Sequence, residues 1–367
     1  MQALGCAVLQ APPGAGKTTR VPAYLFEHNF CQGKILMLEP RRVAARAAAE
    51  RLAEGLGEKP GQTVGYRVRG ESKVSNATRI EVVTEGILTR MIQSDPELAG
   101  VDCVIFDEFH ERSLHADLGL ALCLEVREAL RDDLAILVMS ATLDAAPVAA
   151  LIGAPVLTAG GRSFPVETRH LPRPLGKARF EPAMAALIKQ ALAETEGGVL
   201  AFLPGAGEIR RVAGLLGRIA GVGIMPLYGA MPFKEQRRVL APLKGARKLV
   251  LATSIAETSL TIPDIRVVVD GGKARRARFH AGAGMQRLVT ERVSRAEATQ
   301  RQGRAGRVAP GVCYKLWSAG EEGALHAFAP AEIEAADLSA LVLELALWGV
   351  SDATQMRFLS PPPEGAF

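Results

Sequence analysis

The residues best equipped for chemistry come early. The stretch Gln10-Ala11-Pro12-Pro13-Gly14-Ala15-Gly16-Lys17-Thr18-Thr19-Arg20 follows a short apolar run, Cys6-Ala7-Val8-Leu9. A buried strand, a turn of small residues, a Lys-Thr pair and then a helix is an arrangement that holds nucleotide phosphates. Small residues at Gly14, Ala15 and Gly16 let backbone N–H groups curl around an anion, and the helix adds its positive dipole end. Lys17 can reach the β- and γ-phosphates, the Thr18 hydroxyl can ligate Mg2+, and Thr19 completes the nucleotide-binding set. Ala11 stands where the usual pattern has its first glycine. The competing interpretation is an ordinary Gly/Pro turn followed by a surface lysine.

Two further groups carry chemistry. Val104-Ile105-Phe106-Asp107-Glu108-Phe109-His110 is an apolar strand that delivers two carboxylates to its C-terminal end. Asp107, with Glu108 beside it, suits a Mg2+ ion, and Glu108 suits the activation of an attacking water. His110 is placed to couple that site to other parts of the chain. Ser140 and Thr142, at the end of a later strand, offer hydroxyls for the same coupling, although Ser-Ala-Thr alone is a common strand end. Gln300-Arg301-Gln302-Gly303-Arg304-Ala305-Gly306-Arg307 puts arginines three apart on one helical face. With glycines that permit close approach, Arg304 and Arg307 can stabilise charge on a γ-phosphate. A solvated basic helix is the alternative, but two glycines would weaken a helix that has only exposure to gain.

The elements that must position these groups alternate. In the first half, strands are expected at Cys6–Gln10, Lys34–Glu39, Arg79–Thr84, Val101–Phe106 and Ala135–Met139. Helices are expected at Thr18–Glu27, Arg42–Glu54, Glu85–Gln93 and Leu118–Leu130. This βα alternation predicts an α/β fold with a doubly wound parallel sheet and its site at the strand C-terminal ends. Residues 156–180, rich in Pro, Gly and Arg, read as a linker with an extended lead-in. A second series follows, with strands at Val199–Leu203, Gly223–Leu227, Lys248–Ala252, Arg266–Asp270 and Gly311–Leu316. Its helices are expected at Ala183–Glu194, Gly207–Arg218, Lys234–Leu240 and Ala296–Gln302. It has no phosphate loop of its own, so two halves sharing one nucleotide are expected: 1–155 and 181–325. Ala331–Leu347 has helical spacing, and 326–367 reads as the start of a further small module.

The whole chain sets bounds. At 367 residues, two domains are the natural division, and a composition 48% apolar and 23% charged is globular, not disordered. The net charge of +5 favours an anionic partner. Five cysteines without a C-x-x-C pair, and six histidines without ligand spacing, read as a reduced, cytoplasmic protein with neither disulfide framework nor metal cluster. No apolar run reaches the length of a membrane span.

Taken in order, these motifs resemble those of the superfamily 2 helicases of the DEAH/RHA group, most of all the bacterial ATP-dependent RNA helicases of the HrpB type. The resemblance covers nearly the whole chain. It adds Glu39-Pro40-Arg41-Arg42-Val43-Ala44-Ala45, Thr84-Glu85-Gly86-Ile87-Leu88, Phe202-Leu203-Pro204-Gly205, Pro226-Leu227-Tyr228-Gly229 and Thr253-Ser254-Ile255-Ala256-Glu257-Thr258-Ser259-Leu260-Thr261-Ile262. It implies two RecA-like domains with ATP at their interface and single-stranded or partly duplex RNA across their tops. It assigns Arg41, Arg42, Thr84, Gly86, Thr253 and Thr258 to RNA-phosphate contact, chemistry that carries no base specificity. It assigns Gln300 to the attacking water or γ-phosphate, with Arg304 and Arg307 as arginine fingers. It makes Gly271–Thr290 a projecting β-hairpin and 326–367 the start of a winged-helix-like segment. Arg51 corresponds to an arginine that stacks on the nucleotide base, and its aromatic counterpart aligns with Leu240, so base selectivity is expected to be loose. Phe109 replaces the alanine of Asp-Glu-Ala-His, and Ser254 replaces a frequent asparagine. The implied activity is Mg2+-dependent ATP hydrolysis coupled to movement of a monomeric core along RNA. Two alternatives stay open: a DNA translocase or ribonucleoprotein remodeller, and a nucleotide-gated RNA-binding module with little turnover.

Overall fold

The computed structural model describes residues 5–12, 14–141, 145–161, 164–257 and 262–363. The chain divides into two compact units. Unit 1 takes the chain as far as Gly161, together with Arg278–Gln286 and the stretch from Pro330. Unit 2 takes the chain from there to Ala277 and Arg287–Ala329.

Unit 1 runs β1 (Cys6–Gln10), α1 (Lys17–Glu27), β2 (Lys34–Glu39), α2 (Arg42–Gly55), β3 (Val64–Val68), β4 (Glu71–Lys73), β5 (Ile80–Thr84), α3 (Glu85–Ser94), β6 (Val101–Phe106), α4 (Leu114–Ala129), β7 (Ala135–Ser140), α5 (Ala145–Ile152) and β8 (Val156–Thr158). The strands form an eight-stranded sheet in the order β4-β3-β5-β2-β6-β7-β1-β8. Its ladders are parallel apart from the β3–β4 pair. The apolar runs are continuous because both faces of the sheet are covered. Alternate residues divide between two cores: Leu36, Leu38, Val104 and Phe106 enter one, and Ile35, Met37, Cys103 and Ile105 enter the other. The register sets Gln10 opposite Ser140, Leu38 opposite Phe106 and Glu39 opposite Thr84. The loops that follow β1, β2, β5, β6 and β7 therefore leave from one edge.

Unit 2 runs β9 (Val166–Leu171), α6 (Phe180–Glu194), β10 (Gly198–Phe202), α7 (Ala206–Leu216), β11 (Val222–Leu227), α8 (Phe233–Leu240), β12 (Arg247–Ala252), β13 (Ile265–Asp270), the greater part of β14 (Lys273–His280) and β15 (Met285–Arg292), whose tip Arg278–Gln286 is counted in unit 1, α9 (Arg295–Gly303), β16 (Gly311–Ser318) and α10 (Ala319–Gly323). Six of these strands make a parallel sheet in the order β11-β12-β10-β13-β16-β9, and β14 with β15 forms a separate two-stranded sheet where the hairpin was expected.

Two expectations need correction. Residues 156–180 are not a plain linker. β8 extends the sheet of unit 1 beside β1, and β9 extends that of unit 2 beside β16. Both are short or polar edge strands, so they lack the apolar run that marks a central strand. The segment expected at 326–367 as the start of a further module packs, from 330 to 363, within unit 1. After a 3-10 turn at Glu332–Glu334 and α11 (Ser339–Leu347), the segment buries Ile333, Leu338, Leu341, Leu345, Met356 and Phe358 in the same core as α3 and α4. A fully buried side chain of this kind contributes about 1.5–3 kcal/mol, so the attachment is substantial. β3 and β4 escaped the sequence reading because Gly65, Arg67 and the Arg69-Gly70 turn interrupt their apolar pattern. α4 begins four residues before the expected Leu118, because the Ser113 hydroxyl caps it by accepting from the Ala116 N–H at 3.1 Å.

Candidate functional site

In unit 1 the phosphate-loop residues sit between β1 and α1. Gly14 and Gly16 have φ of 86° and 83°, the left-handed region that a side chain opposes. Ala11 is not a defect. Its N–H donates to the Ser140 carbonyl at 3.1 Å, which prolongs the β1–β7 ladder, and it is buried. The turn into the loop begins after it, so no glycine is needed there. Lys17 opens α1, and its Nζ donates to the Ala11 carbonyl at 2.5 Å and the Pro12 carbonyl at 3.3 Å. Thr18 Oγ1 donates to Asp107 Oδ2 at 2.5 Å, so the loop and the end of β6 meet directly. Thr19 Oγ1 donates to the Gly16 carbonyl at 3.4 Å.

Asp107 is buried, and burial pushes its carboxyl up to about 7, with the Glu108 charge adding to the rise. The Thr18 hydroxyl, the Glu108 N–H and the Lys17 charge pull the other way. Two hard oxygen donors from separate elements, one of them a buried carboxyl short of positive charge, fit a small divalent cation whose other ligands are phosphate and water. Glu108 adopts φ 51°, and its carboxylate lies 3.5 Å from His110 Nε2. His110 Nδ1 accepts the Ala141 N–H at 3.3 Å, which leaves the proton of the neutral ring on Nε2, facing Glu108. The end of β7 and the acidic turn thus meet through a backbone N–H. Ser140 is buried at that strand end, and Thr142 lies outside the described residues.

Four of the residues expected to touch RNA, Arg41, Arg42, Thr84 and Gly86, lie along the same sheet edge, after β2 and β5. Arg41 caps α2, and its Nη2 donates to Glu111 Oε2 at 3.1 Å. Arg42 is exposed, Thr84 caps α3, and Gly86 is half-buried in that helix's first turn. Candidate nucleotide residues thus follow β1 and β6, the candidate coupling residue Ser140 ends β7, and candidate RNA residues follow β2 and β5. Arg51 is exposed on α2, on neither of these loops.

In unit 2, Gln300 and Arg304 are buried and Arg307 is half-buried, around the end of α9. Arg304 Nη2 donates to the Glu257 carbonyl. Thr253 caps the 3-10 turn Ser254–Ala256 that leads to Glu257, so these residues share one edge of the sheet. Thr258 lies outside the described residues. Arg301, which received no role of its own, is the most deeply set arginine of the block, 1% exposed. Its Nε donates to Glu257 Oε1 at 2.6 Å and its Nη1 to Asp270 Oδ1 at 2.7 Å, and the guanidinium lies 4.9 Å from the Phe202 ring centroid. Gly306 serves packing, since a Cβ there would lie 2.5 Å from the Phe164 carbonyl oxygen.

All five cysteines are buried and free. Among the described residues no helix is long and apolar enough to cross a membrane.

Residues 3–151 match the family model of the DEAD/DEAH box helicases, and residues 183–309 match that of the helicase conserved C-terminal domain. The chain is 52% identical, over 99% of its own length and 46% of the relative's, to the ATP-dependent RNA helicase HrpB of Escherichia coli K12. It is 36% identical to the HrpA homolog of Haemophilus influenzae, over 97% of this chain and 28% of that one. A crystal structure of the Escherichia coli DEAH/RHA helicase HrpB superposes with a TM-score of 0.92, at 52% identity over 98% of this chain and 46% of that one. The chain spans less than half the length of these relatives. Both parallel-sheet units match the RecA-like helicase fold, and the chain belongs to the DEAD/DEAH-box helicase family.

Proposed function

We propose that the chain is the motor core of an ATP-dependent RNA helicase, hydrolysing ATP with Mg2+ and moving on single-stranded RNA in the cytoplasm. The observation that carries this reading is the direct meeting of Thr18 and Asp107 at 2.5 Å, with Lys17 at the head of the same helix and Glu108 facing His110. The printed names of the relatives support RNA as the track.

Backbone N–H groups around Gly14, Ala15 and Gly16, with Lys17, bind the β- and γ-phosphates. Thr18 and Asp107 would hold Mg2+, which when bound draws charge from the phosphate oxygens. Glu108 accepts a proton from the attacking water. As the water oxygen bonds to the γ-phosphorus, the bond to the β–γ bridging oxygen breaks and ADP leaves with that electron pair. His110 Nε2–H keeps the Glu108 carboxylate aimed. Gln300, Arg304 and Arg307 orient and neutralise the transferred phosphoryl group, and Arg51 contacts the base. Arg41, Arg42, Thr84, Gly86 and Thr253, with Thr258 by resemblance alone, bind RNA phosphates.

Steady-state ATP hydrolysis with single-stranded RNA, with DNA of the same sequence and with neither tests this. RNA should stimulate the parent selectively, and Glu108→Gln should lose at least about 100-fold in kcat while still binding nucleotide. Equal stimulation by DNA would favour a DNA translocase. Lys17→Ala turning over at the parental rate would overturn the nucleotide site.

A further inference from the structure

The turn that carries Glu108 and His110 is held at its far end by residues that the chemistry above does not use. It is a 3-10 turn, Phe109–Glu111, bounded by two left-handed residues, Glu108 at φ 51° and Arg112 at φ 50°. A left-handed conformation at a residue with a Cβ costs about 1–2 kcal/mol, so the surroundings must impose it. Phe109 is sunk in the core, 6.1 Å from the Phe106 ring at 85°.

Arg112 provides the remaining restraint. Its Nε and Nη2 donate to Asp117 Oδ1 and Oδ2 at 3.2 and 3.1 Å, a bidentate pair on the buried first turn of α4. Its Nη2 also donates to Ser360 Oγ at 3.0 Å. Its carbonyl accepts the Glu332 N–H at 3.0 Å, and Glu332 Oε2 in turn accepts the Leu114 N–H at 2.8 Å. One arginine therefore ties the turn to α4 and to two points of the segment 330–363. Meanwhile Arg41, a candidate RNA contact, reaches the same turn through Glu111.

We propose that Arg112 is a positioning residue for hydrolysis. Anchored by Asp117, Glu332 and Ser360, it fixes the turn in the form that aims Glu108 at the attacking water. The segment from Pro330 acts through it as a structural part of the motor. This rests on the proposed ATPase reading. Arg112 touches neither nucleotide nor metal in this role, so its loss should slow turnover and spare binding.

The test compares kcat, KM for ATP and the affinity for a fluorescent non-hydrolysed ATP analogue, with melting curves as the check on folding. Each kcat is divided by the analogue-binding stoichiometry, so it counts competent molecules only. Arg112→Met should lower kcat about tenfold and leave KM and affinity within about twofold. Arg112→Lys, which keeps the charge without the fork, should fall between Arg112→Met and the parent. Asp117→Asn should give a partial loss, and Ser360→Ala about twofold. If Arg112→Met does not fold, Asp117→Asn and Ser360→Ala decide the matter, and unchanged kcat in both overturns the role. Arg357→Ala is the control. It removes the Arg357–Glu128 pair, which joins the same segment to α4 away from the turn, and should leave kcat unchanged. An equal loss there would mean that general attachment matters, not Arg112. A parent that hydrolyses no ATP would overturn the ATPase reading and this role with it. A parent that turns over, matched in kcat by a folded Arg112→Met, overturns the positioning role alone.

Discussion

Thr18 Oγ1 donates to Asp107 Oδ2 at 2.5 Å across 89 residues of chain, joining the head of α1 to the end of β6. The contact places a hydroxyl and a carboxylate where a phosphate-bound cation would sit. Asp107 Oδ1 is also fixed, by the Glu108 N–H at 2.8 Å. Asparagine can keep both contacts, because the Thr18 hydroxyl accepts as readily as it donates, and it removes a buried charge. Asp107→Asn should therefore melt no lower than the parent at pH 8 in EDTA, while ATP turnover falls at least about 100-fold. A lowered melting temperature together with normal turnover would contradict the assignment.

Glu85 sets a pH dependence. It is 9% exposed at the start of α3, and burial pushes its carboxyl up to about 7. The nearby charges of Glu111, Glu332 and Asp117 reinforce the rise, and a hydrogen bond with Ser113 opposes it. The folded chain thus holds a proton here that the unfolded chain has released, and stability must fall as pH rises from the ordinary glutamate range to about 7. Glu85→Gln removes that slope. Relative to the parent, the variant should gain on the order of 2 kcal/mol between pH 5 and pH 8, read from denaturant midpoints at each pH. A difference that stays constant with pH would show that Glu85 titrates normally.

Much of this could be read in the residues, for identifiable reasons. β1, β2 and β6 were delimited correctly because each is an apolar run closed by a polar residue. The phosphate loop was legible because, among its described residues, those that take positive φ, Gly14 and Gly16, are glycines. β8 and β9 were missed because they are short or polar edge strands whose partners are remote in sequence, and β3 because Gly65 and Arg67 break its apolar run. Segment 330–363 looked independent because its apolar spacing does not say which face will cover it; that face belongs to α3 and α4. Arg301 and Arg112 were invisible as organisers for a related reason. An arginine declares its role only through its partners, and the distant ones, Asp270 for Arg301 and Glu332 and Ser360 for Arg112, cannot be paired with them before the chain is folded.

Arg301 should be the least replaceable residue of its block. It neutralises Glu257 and Asp270, both buried, from a position that is itself buried. Removing one member of such a cluster leaves uncompensated charge and costs about 3–5 kcal/mol. Arg301→Met should lower the melting temperature of unit 2 by several degrees, whereas Arg307→Ala should leave it near the parent and reduce ATP turnover. Monitoring Trp317 fluorescence during unfolding separates the two, since Trp317 lies at the end of β16 in the same unit. A normal melt for Arg301→Met would show that the network carries little energy.

The two glycines of the block should respond in opposite directions. A Cβ on Gly306 would stand 2.5 Å from the Phe164 carbonyl oxygen and 2.8 Å from Val166 Cγ2, and the Phe164 N–H donates to the Gly306 carbonyl at 2.9 Å. The nearest atom is a backbone oxygen of a residue tied to the same glycine by that hydrogen bond, so the entry to β9 must move away from the chain that follows α9. Gly306→Ala should therefore destabilise unit 2 by about 1–3 kcal/mol, as overpacking does. Gly303, the last residue of α9, has no atom within 4 Å of its would-be Cβ and no positive φ. There alanine only removes backbone freedom from the unfolded chain, so Gly303→Ala should be neutral or stabilise by up to about 1 kcal/mol. Urea midpoints of the two variants decide it. If Gly303→Ala were the more damaging, the close approach in this block would lie at the helix end and not against β9, and the assignment of Gly306 to packing would be wrong.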